Sequence, residues 1–148
     1  MSERAAKITQ YLYNEVPLSK AMGIKLIKID DSEVVLGAPL APNRNHQGTL
    51  FGGSAASIAT LACWTLVHDR MMREPVTANL VVQKAQIEYL RPCPNEVRAV
   101  ACLNSPDQWL SAVDAFNRKG KARMSLKSSL YCEQTQVVRF SGDFVFFR

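Results

Sequence analysis

Hydrophobic positions in the first forty residues predict a short helix followed by a β-hairpin. Residues 5–15 carry apolar side chains at the three- to four-residue spacing of one helix face. Two apolar runs, 24–29 and 34–40, then predict strands, and the Asp-Asp-Ser sequence at 30–32 predicts the turn between them. We therefore expect the two strands to pair with each other.

A long apolar stretch in the middle of the chain predicts a buried helix. Thr49 to Gly53 lead into it and it runs to about Met72, with apolar side chains nearly all round. Its length is roughly 30 Å at ~1.5 Å per residue. The uncharged part is shorter than the ~20 residues that span a bilayer and contains hydroxyl side chains, so we expect no membrane partner. Only a sheet wrapped around it, or a sheet plus a partner subunit, would cover so much apolar surface.

The second half of the chain predicts a meander of strands. In the first strand we expect Val81, Gln83, Ala85, Ile87 and Tyr89 to face one way. The order of elements indicates an α+β domain over residues 1–148, with one long helix against one antiparallel sheet. The predicted strands cover 77–89, 97–103, 109–116 and 122–132, and the tail 137–147 adds another, broken at Gly142.

Composition changes this picture little. A chain of 148 residues fits one domain, and 47% hydrophobic with 21% charged residues is ordinary for a globular protein. The first ten residues have no apolar run, so we expect no secretory leader. The four cysteines form no C-x-x-C pair or zinc pattern and the two histidines have no cluster beside them. We expect reduced thiols, a cytoplasmic location, no metal and no cofactor.

The net charge of +5 suits an anionic partner, but the basic residues are mostly scattered. One group is concentrated after the predicted strand 109–116. It is either the solvated turn of a hairpin or a phosphate site. Aromatic residues are not interleaved with it, which argues against nucleic acid. The group comprises Arg118, Lys119, Lys121, Arg123 and Lys127.

A glycine-rich loop before the central helix carries the candidate chemistry. Gly52 and Gly53 put bare backbone at the N-terminus of the helix, where N–H groups lack partners and the macrodipole is positive. Such an end can polarise a carbonyl group and stabilise an oxyanion. Asn45 is positioned to add a side-chain amide. Alternatively, Gly48, Gly52 and Gly53 only form a tight turn.

The loop and the order of elements resemble the hot-dog fold of thioesterases and dehydratases. The PaaI-like branch opens its central helix with N-x-x-G-T-x-H-G-G, and here Asn45 to Gly53 read N-H-Q-G-T-L-F-G-G. The sequence of this loop is more similar to that of the thioesterase domain that is found alone or at the C-terminus of YiiD-type proteins. The Ile-x-Tyr-Leu-Arg-Pro sequence at 87–92 is also similar to hot-dog proteins. The resemblance covers nearly the whole chain.

Two positions depart from the pattern that the resemblance implies. PaaI-like enzymes have a carboxylate on the central helix seven residues after the second glycine, where this chain has Thr60. The histidine before the glycine pair is replaced by Phe51. A threonine hydroxyl can orient water but is too weak an acid to act as a base. Either a residue from elsewhere activates water, or turnover is slow, or the protein binds thioesters without hydrolysing them.

Several other groups are candidates for handling water. Ser57 lies one turn before Thr60 on the same helix face. The loop residue His46 has an ordinary pKa near neutrality. Three polar residues of the long strand could arrive from a partner subunit: Asn79, Gln83 and Glu88.

The sequence therefore predicts an acyl-CoA thioesterase, or alternatively a non-catalytic module that binds acyl thioesters. A hydratase ranks last, because no clear pair of a histidine and a carboxylate is present. The expected partners are a thioester of CoA or acyl carrier protein and further copies of the chain, in a homodimer or a homotetramer. We expect catalytic roles for Asn45, Gly52, Gly53, Ser57 and Thr60, and substrate contacts from His46, Thr49, Phe51, Arg91, Lys119 and Lys121.

Overall fold

The computed structural model describes residues 2–74 and 76–148, and within these residues it contains four α-helices and six strands. In chain order the elements are α1 (Glu3–Glu15), α2 (Pro17–Ala21), β1 (Lys25–Ile29), β2 (Glu33–Ala38), a 3-10 turn (Ala41–Asn43), α3 (Gly52–Arg73), β3 (Asn79–Tyr89), β4 (Val97–Cys102), α4 (Pro106–Lys119), β5 (Lys121–Cys132) and β6 (Thr135–Phe147).

One antiparallel sheet holds all six strands in the order β1-β2-β4-β5-β6-β3. Side-chain alternation gives it two distinct faces: along β5 the even-numbered residues are buried, whereas the odd-numbered residues are exposed or half-exposed. The long helix α3 packs on the buried face, against strands β2 to β6. The α+β arrangement predicted from the sequence is confirmed, as is the hairpin formed by β1 and β2.

The predicted strand 109–116 is wrong, because these residues lie inside α4. Their buried side chains are Trp109, Ala112 and Phe116, a spacing of three and four residues that belongs to a helix. Pro106 begins the helix, and Gly120 ends it with a left-handed φ of 75°. The basic group therefore lies in the last turn of α4 and along β5, and not in a hairpin turn.

The predicted facing of β3 is correct only for part of the strand. A register shift between Val82 and Lys84 reverses the side-chain alternation relative to β6. Val82 is paired with the buried Phe144, so it lies on the same face as Ala85 and Tyr89, towards α3. Val81 takes the opposite face. The alternation of side chains in the sequence does not reveal a bulge within a strand.

Gly142 does not break the last strand, since β6 runs through it without interruption. A Cβ atom at this position would lie 3.1 Å from ring atoms of both Phe140 and Phe144. These rings are fully buried on the face that packs against α3. The glycine therefore makes room for two aromatic side chains in the core.

Helix α1 contacts the C-terminal half of α3 through a few side chains and runs in the opposite direction. At one end Arg4 forms an ion pair with the buried Asp69, which also pairs with Arg73 at 3.0 Å. In the middle the ring of Tyr11 stacks on that of His68, with centroids 4.5 Å apart. This packing leaves a trench between α1, α3 and the edge strand β3.

Candidate active site

The loop that leads into α3 is anchored by a buried asparagine that the sequence analysis did not select. Asn43 is 1% exposed, and its side-chain nitrogen donates hydrogen bonds to the backbone oxygens of Met22 (2.9 Å) and Pro39 (2.8 Å). Its own backbone oxygen accepts from the N–H of Phe51 at 2.7 Å. Asn43 thus ties the end of the loop to the chain before β1 and after β2.

Asn45 organises the turn inside this loop. Its side-chain oxygen accepts hydrogen bonds from the N–H groups of Gln47 (2.9 Å) and Thr49 (3.1 Å), and its side-chain nitrogen donates to the Thr49 hydroxyl (2.9 Å). An amide NH₂ carries two donors, so Asn45 can still offer one to a ligand. The contact with Thr49 fixes the orientation of the amide. His46 is exposed in the same turn.

The N-terminus of α3 presents bare backbone between two aromatic rings. Phe51 occupies the N-cap position, and its ring cannot accept a hydrogen bond from the first turn. A Cβ atom on Gly53 would lie 2.5 Å from this ring, so a larger residue at 53 would have to displace the exposed Phe51 side chain. On the other side, Tyr89 donates a hydrogen bond from its hydroxyl to the Gly52 oxygen at 3.0 Å. The N–H groups of the first turn are left for a polar ligand.

Ser57 and Thr60 line a shallow apolar groove along α3. Both hydroxyls donate to the carbonyl four residues earlier: Ser57 to Gly53 at 2.9 Å and Thr60 to Ala56 at 2.8 Å. Their protons are therefore engaged, and their lone pairs remain available to accept from water. We call this feature the hydroxyl groove. It has a volume of about 380 Å³ and is lined by Val16, Ala56, Ser57, Thr60, Leu61, Trp64 and Val82.

The hydroxyl groove can orient water but cannot deprotonate it. Among its lining residues none carries an acid or a base. The polar residues proposed for β3 do not supply one from the same chain: Glu88 is paired with Arg139 at 3.3 Å on the face of the sheet away from α3. Because Thr60 stands where a carboxylate was expected, the groove of a single chain has no general base.

The predicted phosphate-binding residues are divided between the two ends of the sheet. Arg91 follows β3, and its N–H donates to the oxygen of Val137 near the start of β6. Lys121 is paired with Phe147 at the end of β6, and Lys119 lies just before it in α4. Ten residues of strand, roughly 33 Å, separate these positions. One chain does not bring its basic group to the N-terminus of α3.

Three rings farther along the trench form a stack that the sequence analysis missed. Trp64 lies against His68 with centroids 4.6 Å apart, and His68 lies against Tyr11. Burial lowers the pKa of His68 from its ordinary 6.5, and the charge of Asp69 opposes this shift. The imidazole is therefore neutral at pH 7. The four-residue spacing of Trp64 and His68 was the available signal.

Other groups that could carry chemistry include the buried Cys63. Burial raises the pKa of the Cys63 thiol to about 12, so it is an inert core group. The described residues contain no cluster of three or more histidine, cysteine or acidic side chains that could hold a metal ion. No helix in the described part of the chain is long and apolar enough to cross a membrane.

Comparison with known proteins identifies a family for this chain. Residues 5–148 match the family described as "Putative thioesterase (yiiD_Cterm)". A protein of unknown function from Chlorobaculum tepidum TLS is 31% identical, with a TM-score of 0.92 over 97% of this chain and 94% of that one. A structure described as a "putative thioesterase" from Shewanella oneidensis is 28% identical, with a TM-score of 0.85 over 100% of both chains.

A more distant structure shares the fold alone. The phenylacetic acid degradation protein PaaI from Thermus thermophilus, solved as an asparagine-to-aspartate mutant, is 20% identical. Its TM-score is 0.65 over 89% of this chain and 99% of that one. The hot-dog arrangement that the glycine loop led us to expect is therefore confirmed.

Proposed function

Because this chain belongs to the yiiD_Cterm family, we propose that it is a thioesterase that hydrolyses an acyl-CoA to a free acid and the CoA thiol. The observation that carries the proposal is the bare N-terminus of α3 at Gly52 and Gly53, beside an apolar groove with two hydroxyls. A thioester needs both: donors for its carbonyl oxygen, and a place where water and an apolar acyl group can lie.

The reaction requires few groups. N–H groups at Gly52 and Gly53, with the Asn45 amide, polarise the carbonyl oxygen and hold the negative charge that develops on it. Water oriented by Ser57 or Thr60 bonds to the acyl carbon, the carbon–sulfur bond breaks, and the proton from water ends on the departing sulfur. Without a base in the groove, the step is expected to be slow.

We also propose that the complete site is formed by two copies of the chain. Seven residues of helix place Thr60 about 10 Å from Gly53 along the axis, whereas attacking water approaches a carbonyl carbon to about 3–3.5 Å. Thr60 of one chain therefore suits a carbonyl held by Gly53 of another. The exposed edge strand β3, with Val81 and Val82 uncovered, offers a surface for pairing. A homodimer is the minimum and a homotetramer the larger alternative.

Assembly of two chains would also determine whether the basic residues can bind the phosphates of CoA. Lys119 and Lys121 are remote from Gly53 within one chain, so they reach the phosphates only from a partner, while Arg91 lies at the near end. Acyl carrier protein is the alternative carrier. The four unpaired thiols support the cytoplasm as the location, since reducing compartments keep thiols free.

The second candidate is a module that binds acyl thioesters without hydrolysing them. It is favoured by one observation, the hydroxyl groove without an acid or base. The two candidates share the same ligand and the same contacts at Asn45 and Gly53. They differ only in whether bound thioester is turned over.

A thiol-release assay with a panel of acyl-CoAs tests the proposal. Asn45→Ala should lower turnover by about 10²-fold, the scale of one lost oxyanion donor. Asn117→Ala, at an exposed position on α4, should leave it unchanged. Wild-type turnover in a folded Asn45→Ala protein would remove Asn45 from the mechanism.

Variants at Thr60 separate the two candidates. Thr60→Ala should reduce the rate only a few-fold, because a positioning contact is lost. Thr60→Asp should raise it, since partial burial shifts a carboxylate pKa upwards and makes it a better base near neutral pH. Thr135→Ala, at an exposed position at the start of β6, is the control. If every form binds acyl-CoA and none hydrolyses it, the binding module is the function.

A further inference from the structure

The trench between α1, α3 and β3 contains a second cavity, the rear chamber, beyond the hydroxyl groove. This rear chamber has a volume of about 520 Å³, and its walls include Tyr11, His68, Met71 and Leu80. The groove and the rear chamber share one lining residue, Trp64. The indole ring therefore stands between two spaces that follow one another along the same helix.

Trp64 is fixed in this position by two independent contacts. Its indole N–H donates a hydrogen bond to the backbone oxygen of Leu80 at 3.2 Å, which ties α3 to β3 across the trench. Its ring lies nearly parallel to that of His68, with an angle of 12° between planes, and Tyr11 of α1 completes the stack. A side chain held on both sides makes a wall that an entering alkyl chain cannot easily push aside.

We propose that Trp64 sets the acyl specificity of this protein by closing the hydroxyl groove at one end, so that short acyl chains fit and long ones do not. The inference rests on the proposed function, because it takes the groove as the acyl site. It concerns which acyl group binds and is independent of whether the thioester is then hydrolysed.

The helix geometry gives the length of chain that fits. Trp64 lies one turn beyond Thr60, about 6 Å along α3. An extended chain advances roughly 1.2 Å per bond. A linear acyl group that starts at the level of Thr60 therefore meets the indole after about five carbons. The wall predicts a preference for butanoyl or hexanoyl thioesters over dodecanoyl or longer ones.

The character of the rear chamber explains what removal of the wall would do. One part of its lining is apolar, with Met71 and Leu80, and burial keeps the imidazole of His68 uncharged at neutral pH. The rest of the lining is polar and includes Glu74, Thr77 and Asn79. Additional methylene groups would lie against the apolar part. Without the indole, the groove and the rear chamber would form one continuous channel beside Thr60.

The experiment compares Trp64→Ala and Trp64→Leu with Trp64→Phe, which keeps a ring in place and serves as the conservative variant. Leu110→Ala removes an exposed apolar side chain of α4 outside the trench and is the surface control. For each protein, kcat/KM is measured with linear acyl-CoAs from butanoyl to hexadecanoyl. Affinity for thioether analogues of the same lengths, which cannot be hydrolysed, is measured by calorimetry.

The small side chains should shift the ratio of dodecanoyl to butanoyl kcat/KM towards the longer chain by at least about 10-fold, the lower range for methylene discrimination by an apolar pocket. Trp64→Phe and Leu110→Ala should keep the wild-type ratio. Circular dichroism confirms folding. Should Trp64→Ala fail to fold, Trp64→Leu carries the comparison.

The possible outcomes distinguish failure of one proposal from failure of the other. Hydrolysis with the same length profile in all variants would overturn the role of Trp64 and leave the thioesterase proposal standing. Binding that shifts with chain length, without hydrolysis by any form, would support the wall and overturn hydrolysis. Failure of the wild type and the Trp64→Leu variant to bind any analogue would overturn both.

Discussion

Asn43→Ala should destabilise the protein strongly although the residue lies in a polar loop. The side chain is buried and its NH₂ group satisfies two backbone oxygens, those of Met22 and Pro39. Alanine removes both donors at once. The surrounding backbone is fixed by the short helix α2 and by the end of β2, so the two oxygens cannot readily turn towards water.

The magnitude follows from the number of groups left unpaired. Each buried acceptor that loses its partner costs about 1–3 kcal/mol. Part of this is recovered, because the side-chain oxygen of Asn43 is itself buried without a hydrogen-bond partner among the described residues. We expect a net loss of about 2–3 kcal/mol in the free energy of unfolding. For a domain of this size that corresponds to a decrease in Tm of roughly 5–10 °C.

Urea unfolding followed by tryptophan fluorescence measures this loss, with Asn45→Ala as the matched control. Asn45 also makes three hydrogen bonds, but it is half-exposed and water can replace them, so its loss should stay below about 1 kcal/mol. Turnover should show the opposite order, with Asn45→Ala the more damaging variant. Equal destabilisation by the two substitutions would refute the distinction between an anchor and a ligand-facing amide.

Three further predictions concern other parts of the molecule. Tyr89→Phe, which removes the hydrogen bond to Gly52, should lower kcat several-fold with little change in stability; an unchanged kcat would make the contact incidental. Because burial lowers the pKa of His68, the unfolded chain binds its proton more readily, so stability is full above pH 6.5 and declines as pH falls through the lowered folded pKa. His68→Phe should flatten this decline in urea unfolding between pH 7 and 5, and an unaltered slope would contradict the assignment. Neutralising Lys119 and Lys121 should weaken CoA binding and its salt dependence in the assembled protein, whereas unchanged affinity at every salt concentration would exclude them from the phosphate site.

Long elements with one consistent pattern could be predicted from the sequence. The central helix, the first hairpin and strands β4 and β5 all follow from their hydrophobic periodicity. The wrong strand arose where two periods compete, whereas the errors at β3 and Gly142 arose from a bulge and from core packing. Residues 109–116 are short and apolar enough to fit either a strand or a helix, and Pro106 with Gly120 was the signal that should have decided for a helix.

The candidate site was predictable where the backbone alone carries the chemistry. Glycines before an apolar helix indicate a bare N-terminus, and the structure places Gly52 and Gly53 there. The roles of side chains that depend on tertiary contacts could not be predicted. Asn43 and Asn45 are both asparagines of one polar loop, and only the fold buries the first. The partners of Trp64 lie on α1 and β3, which no local pattern connects.

The N-terminus of α3 has no capping side chain, a feature that it shares with α2 and α4. A capping side chain at the N-terminus contributes about 1 kcal/mol, and Phe51 cannot supply it. The loop is held from outside instead: Leu50 donates to the Cys93 oxygen at 2.8 Å, Phe51 to the Asn43 oxygen, and Tyr89 to the Gly52 oxygen. These contacts fix the backbone without engaging the first N–H groups of the helix. The uncapped end of α3 therefore presents a fixed set of backbone donors, which is the arrangement that the proposed thioester site requires.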